Sequence, residues 1–255
     1  MMISNKLLSL LVCSALPMGL MAACAGGDRH FEPQRGSVIS ADVRQAEGHS
    51  YLVLTAEPGA SVEYSVTRPD SDDSDVCLAV AAAFTGDDLT SICGDHVVQG
   101  KRMRGYDDVT ATGHMLISGG KVAIRSNGRL NESLGTAEET RGSLFQQCLV
   151  VEGGKAHAER IPQAITDRKA HIIFRAACLM ADGRLAVVQG VDCQYGHEFV
   201  DGLVALGARD AVYLDMGSWA YGWYRTDRGG KAVELADHFA NTAHQSNWLV
   251  VRARQ

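Results

Sequence analysis

The chain has 255 residues, 46% of them hydrophobic, and a formal net charge of −6. That length and apolar content suffice for a full-sized core and exclude a low-complexity or disordered chain. The acidic balance excludes a polyanion-binding stripe, and therefore a nucleic-acid partner; the one basic cluster, Lys101-Arg102-Met103-Arg104, reads as a solvated turn or a local anion contact.

At the N-terminus, Lys6, an apolar run over residues 7–21 and the small residues Ala22, Ala23, Cys24, Ala25 and Gly26 have the layout of a secretory signal. The run is too short to span a membrane comfortably. Leu20-Met21-Ala22-Ala23-Cys24 resembles a bacterial lipobox, so the alternatives are lipidation of Cys24 and ordinary cleavage after Ala25. Residues 1–25 are accordingly read as a signal, 26–36 as a polar linker and 37–255 as the folded domain. An exported, periplasmic or envelope protein is expected, with a lipid anchor at Cys24 as its sole membrane contact.

Residues 49–56 and 60–67 read as strands separated by the turn Glu57-Pro58-Gly59. The acidic stretch 69–73 predicts a helix-initiating loop, and the small apolar residues 76–84 a closely packed helix. Gly119-Gly120 joins strands 113–118 and 121–126 as a two-residue hairpin. The same logic sets strand 143–151 against a Gly153-Gly154 turn, and strand 171–180 against 184–190 through Asp182-Gly183. Residues 195–206 place Phe199, Val200, Leu203, Val204 and Leu206 on one helical face, with Gly207 as C-terminal cap. A strand ending at Asp215 follows, the preceding elements forming one local crossover, and residues 248–252 supply a last strand. The fold class is α+β: a mixed, mainly antiparallel β-sheet with a few flanking helices.

Cys77, Cys93, Cys148, Cys178 and Cys193 remain beyond Cys24, an odd number for an exported protein, which predicts at least one free thiol. Cys77 with Cys93, or Cys178 with Cys193, are candidate disulfides; buried free thiols are the simpler reading. No pair has metal-site spacing, so no metal site is predicted, and no motif names a cofactor, which stays unknown.

The most telling stretch is Asp210-Ala211-Val212-Tyr213-Leu214-Asp215-Met216-Gly217, an apolar strand that ends in a carboxylate before a Gly turn. Trp219, Tyr221 and Trp223 follow with period two, which on a strand puts three rings on one face. Rings beside a carboxylate suit a sugar.

The segment from Leu206 through Gly217, together with Phe145-Gln146-Gln147, Val150-Val151-Glu152-Gly153-Gly154-Lys155, Arg175-Ala176-Ala177 and Asp182-Gly183-Arg184, resembles the phosphodiester glycosidase family. This is the catalytic-domain type of the enzyme that uncovers mannose 6-phosphate by removing N-acetylglucosamine from a phosphodiester. The likeness covers residues 77–252. Ala81-Ala82-Ala83-Phe84-Thr85 stands where much of the family has an Asn-Gly-Gly-Phe-Phe segment; this stretch, Gly94-Asp95-His96 and residues 213–217 are more similar to a divergent Bacteroidetes subgroup.

The resemblance implies an exported hydrolase that splits the glycosidic bond of a sugar-1-phosphodiester, with a carbohydrate or glycan phosphodiester as partner. Such a reaction passes through an oxocarbenium-like state that a carboxylate stabilises. Asp215 is the first candidate, against an Asp that caps the following turn; Asp95 is the second, against a turn former. His96 is a candidate acid or phosphate donor, against a surface histidine. Arg175, charged amid an apolar strand, is the candidate phosphate ligand, against a structural ion pair. Gln147 is assigned to sugar hydroxyls, against pairing beside a bulge. Thr85, Gly217 and Ser218 fall on the matched segments as substrate contacts, and Trp219 and Trp223 as stacking platforms, against a core ladder. The competing classes are a noncatalytic glycan-binding envelope protein on the same fold and a structural envelope lipoprotein.

Overall fold

The computed structural model describes residues 37–166, 172–216, 220–236 and 240–254. The signal, Cys24 and the linker lie outside the described residues, as do Gly217, Ser218 and Trp219. In chain order the elements are β1 (Ile39–Ala46), β2 (His49–Ala56), β3 (Ser61–Ser65), β4 (Val76–Ala81), β5 (His96–Val98), β6 (Lys101–Met103), β7 (Gly113–Ser118) and β8 (Lys121–Ser126). Then come α1 (Leu130–Glu139), β9 (Ser143–Gln147), β10 (Leu149–Glu152), β11 (Lys155–Ala156), α2 (Gln163–Thr166), β12 (Arg175–Met180) and β13 (Leu185–Gly190). The last are α3 (Gly196–Ala205), β14 (Ala208–Tyr213), β15 (Gly222–Tyr224), β16 (Val233–Glu234) and β17 (Trp248–Arg252).

The strands form three antiparallel-paired sheets, so the fold is α+β. The first has the order β1-β2-β13-β12-β14-β10-β11, the second β16-β15-β4-β17-β3 and the third β6-β5-β9-β7-β8. One core is shared by all three: Leu54, Ala177 and Val212 from the first sheet, Leu78 and Leu249 from the second, Met115 and Phe145 from the third. The opposite face of the first sheet is covered by α3, whose Phe199, Val200 and Leu203 are buried there; such side chains contribute about 1.5–3 kcal/mol each. The N-cap amide of Tyr195 donates to the Glu198 carboxylate at 2.8 Å, and Gly207 ends the helix with φ +91°. The helix carries the chain over β12, so that β14 pairs with β12 on the side away from β13.

Several elements differ from the sequence reading. Residues 76–84 hold no helix: β4 lies between β15 and β17 with both faces buried, and a six-residue apolar run has no periodicity to tell strand from helix. The acidic loop before it is a pair of turns, with Asp73 and Val76 amides donating to the carbonyls of Asp70 and Asp73. β1 was hidden because its hairpin turn puts Glu47, not a glycine or asparagine, at φ +48° ahead of Gly48. The stretch 143–151 is two strands, since the chain leaves the third sheet after β9 and enters the first as β10, passing through buried Cys148. The strand expected from residue 171 begins at Arg175, and β14 stops two residues short of Asp215. Cys77, Cys93, Cys148 and Cys178 are buried free thiols and Cys193 is an exposed one, so neither candidate disulfide forms.

Candidate active site

Asp215 sits where the ends of the first two sheets meet. The Leu214 amide still donates to the Arg175 carbonyl at 3.0 Å, but the Asp215 amide turns to the Ala82 carbonyl, just beyond β4, at 3.0 Å. Its carboxylate Oδ2 accepts the Thr85 amide at 2.9 Å. The Ala82–Thr85 segment is itself clamped. Asn247 accepts from the Ala83 amide at 2.7 Å and donates to the Ala83 carbonyl at 3.0 Å, while Gln147 Nε2 donates to the Ala82 carbonyl at 3.3 Å. The Thr85 and Ser246 hydroxyls meet at 3.0 Å. Phe84 and Tyr213 close the apolar side, their ring centroids 6.0 Å apart.

Asp215 is only 4% exposed. Burial raises its pKa to about 8, and the Thr85 and Met216 amides hold the rise back in part. At neutral pH it is therefore a carboxylic acid, a proton donor rather than the charged stabiliser expected.

The other candidates do not join it. Arg175 is fully buried; its Nε and Nη2 donate to Gln189 Oε1 at 2.8 and 2.5 Å and its Nη1 to the Ala220 carbonyl at 3.0 Å. Burial draws its pKa down to about 10, which leaves it charged with neutral partners, neither a phosphate ligand nor half of an ion pair. The pleat explains the separation: Arg175 lies on the face of Ala177 and Leu179, toward the shared core, whereas Asp215 is reached from the Phe84 and Tyr213 side. Arg175 and Asp215 share neither a hydrogen bond nor an ion pair.

His96 and Asp95 diverge for the same reason. Asp95 Oδ2 accepts from Arg102 at 2.6 Å in a part-exposed ion pair. His96 turns inward, Nδ1 donating to the Gly94 carbonyl at 3.1 Å, with its ring edge-on to Tyr64 at 6.1 Å. Burial lowers its pKa and keeps it neutral. Gln147 is fully buried; its Oε1 accepts the Cys148 amide at 2.8 Å where the strand breaks, so it serves the backbone and not a sugar. Trp223 is 1% exposed, with the Arg225 guanidinium 5.0 Å over its ring. Tyr221 lies edge-on to Trp248 at 6.1 Å, and Arg68 stacks over both. The described rings of the period-two ladder thus cover the back of the second sheet and offer no platform.

A concave region of about 680 Å³ lies against the third sheet, away from Asp215. Arg102 lines it from β6, and Asp95, Arg104, Asp107 and Asp108 from the loops around β5 and β6. Asn127 lines it from the short turn before α1, Asn131 from the start of α1, and Gln146 from the end of β9. Asp215, His96 and Arg175 do not. A thin wall separates the two regions: the Cys93 amide donates to Phe84, beside Asp215, and the Gly94 amide to Tyr106. Burial pushes the Cys93 thiol up to about 12, so that wall is uncharged. Among the described residues no group of three or more His, Cys, Asp or Glu is arranged to hold a metal ion, and no helix is long and apolar enough to cross a membrane.

Sequence reasoning missed Asn247 and Ser246, although a polar pair directly before a final apolar strand was the available signal. It noted Arg104 only as part of the basic cluster.

No family model and no curated protein sequence matches the chain. Solved structures share its architecture, two of them described by name. One is the catalytic domain of zebrafish N-acetylglucosamine-1-phosphodiester alpha-N-acetylglucosaminidase, auto-inhibited by its pro-peptide: 13% identity, a TM-score of 0.57, covering 86% of this chain and 83% of that one. The other is a hypothetical protein from Synechocystis, at 13% identity and a TM-score of 0.52, covering 86% of this chain. The match spans 62% of the Synechocystis protein's length. Likeness at this identity shows the fold alone.

Proposed function

We propose that this chain is a hydrolase that cleaves the bond between the anomeric carbon of a sugar and a phosphodiester. One observation carries the reading: a buried carboxyl, protonated at neutral pH, follows the strand β14 on a fold shared with a domain named for that cleavage. As the C1–O bond to phosphate breaks, Asp215 gives its proton to the departing oxygen; water adds to C1, and the proton it releases returns Asp215 to the acid form. Thr85 orients the carboxyl through its amide. Gly217, Ser218 and Trp219, next in the chain, are proposed substrate contacts. Arg175, His96, Gln147 and Trp223 take no part, being committed to the core, and Asp95 belongs to the neighbouring cavity. The signal-like N-terminal sequence supports placing the activity in the cell envelope, with Cys24 as proposed lipid attachment point.

Purified protein incubated with a panel of N-acetylglucosamine-1-phosphodiesters should release free sugar, and Asp215→Asn should lower the rate by about 100-fold or more. No release by the wild type, or equal release by the two proteins, overturns the reading. One observation favours a second reading, a noncatalytic glycan-binding protein: the carboxyl is almost closed off and already accepts a backbone amide. Calorimetric binding of a diester without turnover is the outcome that supports it.

A further inference from the structure

We propose that the cavity on the third sheet is a binding site for a neutral sugar, distinct from the niche around Asp215. Its volume, about 680 Å³, falls in the range of small-ligand pockets. The floor is preformed. Gln146, 7% exposed, donates from Nε2 to the Asp95 carbonyl at 3.1 Å and accepts from Asn127 Nδ2 at 3.2 Å, so its amide plane is fixed at both ends. The loops close tightly on it: a Cβ at Gly94, where φ is +71°, would lie 2.5 Å from Gln146 Nε2, and one at Gly105 would lie 2.1 Å from the Gly94 carbonyl oxygen.

The rim, by contrast, is uncommitted. The side chains of Arg104, Asp107 and Asn131 make no hydrogen bond or ion pair among the described residues, although each lines the cavity. Three carboxylates and two guanidiniums line the space together with three carboxamides, a set that both donates and accepts. Carboxylates outnumber guanidiniums there, which disfavours a free anion. The Asp95–Arg102 pair at 2.6 Å cancels one charge of each sign. A hydroxyl can both donate and accept, so a polyol satisfies such a lining wherever it turns. Leu130 and Leu134 add an apolar wall for the C–H face of a ring, and Val109, 97% exposed, stands at the mouth.

The test titrates the full chain with N-acetylglucosamine, mannose and galactose, and separately with inorganic phosphate and putrescine, by calorimetry and amide chemical shifts. At least one neutral sugar should saturate, with shifts centred on Gln146 and Asn131. Asn131→Ala and Asp107→Ala, both surface substitutions, should each raise its Kd at least fivefold, while Asp215→Asn leaves it unchanged. Failure of all three sugars to bind overturns the proposal, as does saturation by phosphate or putrescine instead. Sugar affinity indifferent to both rim substitutions, or lost in Asp215→Asn, also overturns it by moving the ligand elsewhere.

Discussion

The niche around Asp215 and the cavity around Asp95 share a wall at Cys93, Gly94 and Tyr106, yet they treat one functional group in opposite ways. Asp215 is shut among Phe84, Tyr213 and clamped backbone, and the cost of burying a charge keeps its proton on. Asp95 opens on a roomy polar space and meets a guanidinium. Residue type set the list of candidates; the surroundings divided it, leaving one carboxyl buried with its proton on and the other ion-paired beside open space.

The sharpest way to break this contrast is paired substitution. Asp215→Asn should cost sugar release about 100-fold or more, whereas Asp95→Asn should change it less than about fivefold, measured as kcat/KM on one diester. Equal losses would return both carboxylates to a single site.

Next in size, Asn247→Ala strips the Ala83 amide and carbonyl of their partners and should destabilise the fold by about 3 kcal/mol in urea unfolding. An unchanged midpoint would show that the niche does not depend on that clamp.

The dependence of stability on pH then tests the proton itself. Asp215, at about 8 when folded against an ordinary 3.8, holds a proton that the unfolded chain has lost. Its favourable contribution is thus full below about pH 4 and lost as pH rises toward 8. His114, drawn down to about 4 by burial, works the other way, losing stability as pH falls from its ordinary 6.5, and buried His96 has the same sign. Between pH 6.5 and 8 the two histidines still regain about 0.4 kcal/mol each, so the Asp215 effect is read by difference: the wild type should lose roughly 2 kcal/mol relative to Asp215→Asn. Parallel curves for the two proteins would mean that the carboxyl is already ionised.

The smallest effect belongs to the cavity. Arg102→Ala breaks a part-exposed pair with Asp95 and should shift stability by less than about 1 kcal/mol, read as a thermal midpoint. A larger loss would make the cavity wall structural, and the contrast with the niche would narrow.

Much of this architecture can be read from the chain where the signal is local. The Gly119-Gly120 hairpin takes positive φ at both residues, 57° and 73°, as such a turn requires. Helix α3 and the strand β17 fall within the expected residues, since a 3.6-residue period ended by Gly207 and a short apolar run near the C-terminus have few other readings. β4 escaped because an unbroken apolar run lacks a period, and the break at Cys148 because nothing in residues 143–151 marks the passage from one sheet to another.

At the site, the sequence by itself determined that an acid follows an apolar strand and that Tyr221 and Trp223 share a face, because turn chemistry and strand alternation act over a few residues. It could not say which face. That choice was made by contacts such as Thr85 with Asp215 and Ala83 with Asn247, 130 and 164 residues apart, which form only when the sheets stack. Stacking turned Arg175, His96 and Trp223 inward and dried the surroundings of Asp215. Burial is a property of the assembled layers, and with it goes the protonation that decides what a carboxyl can do.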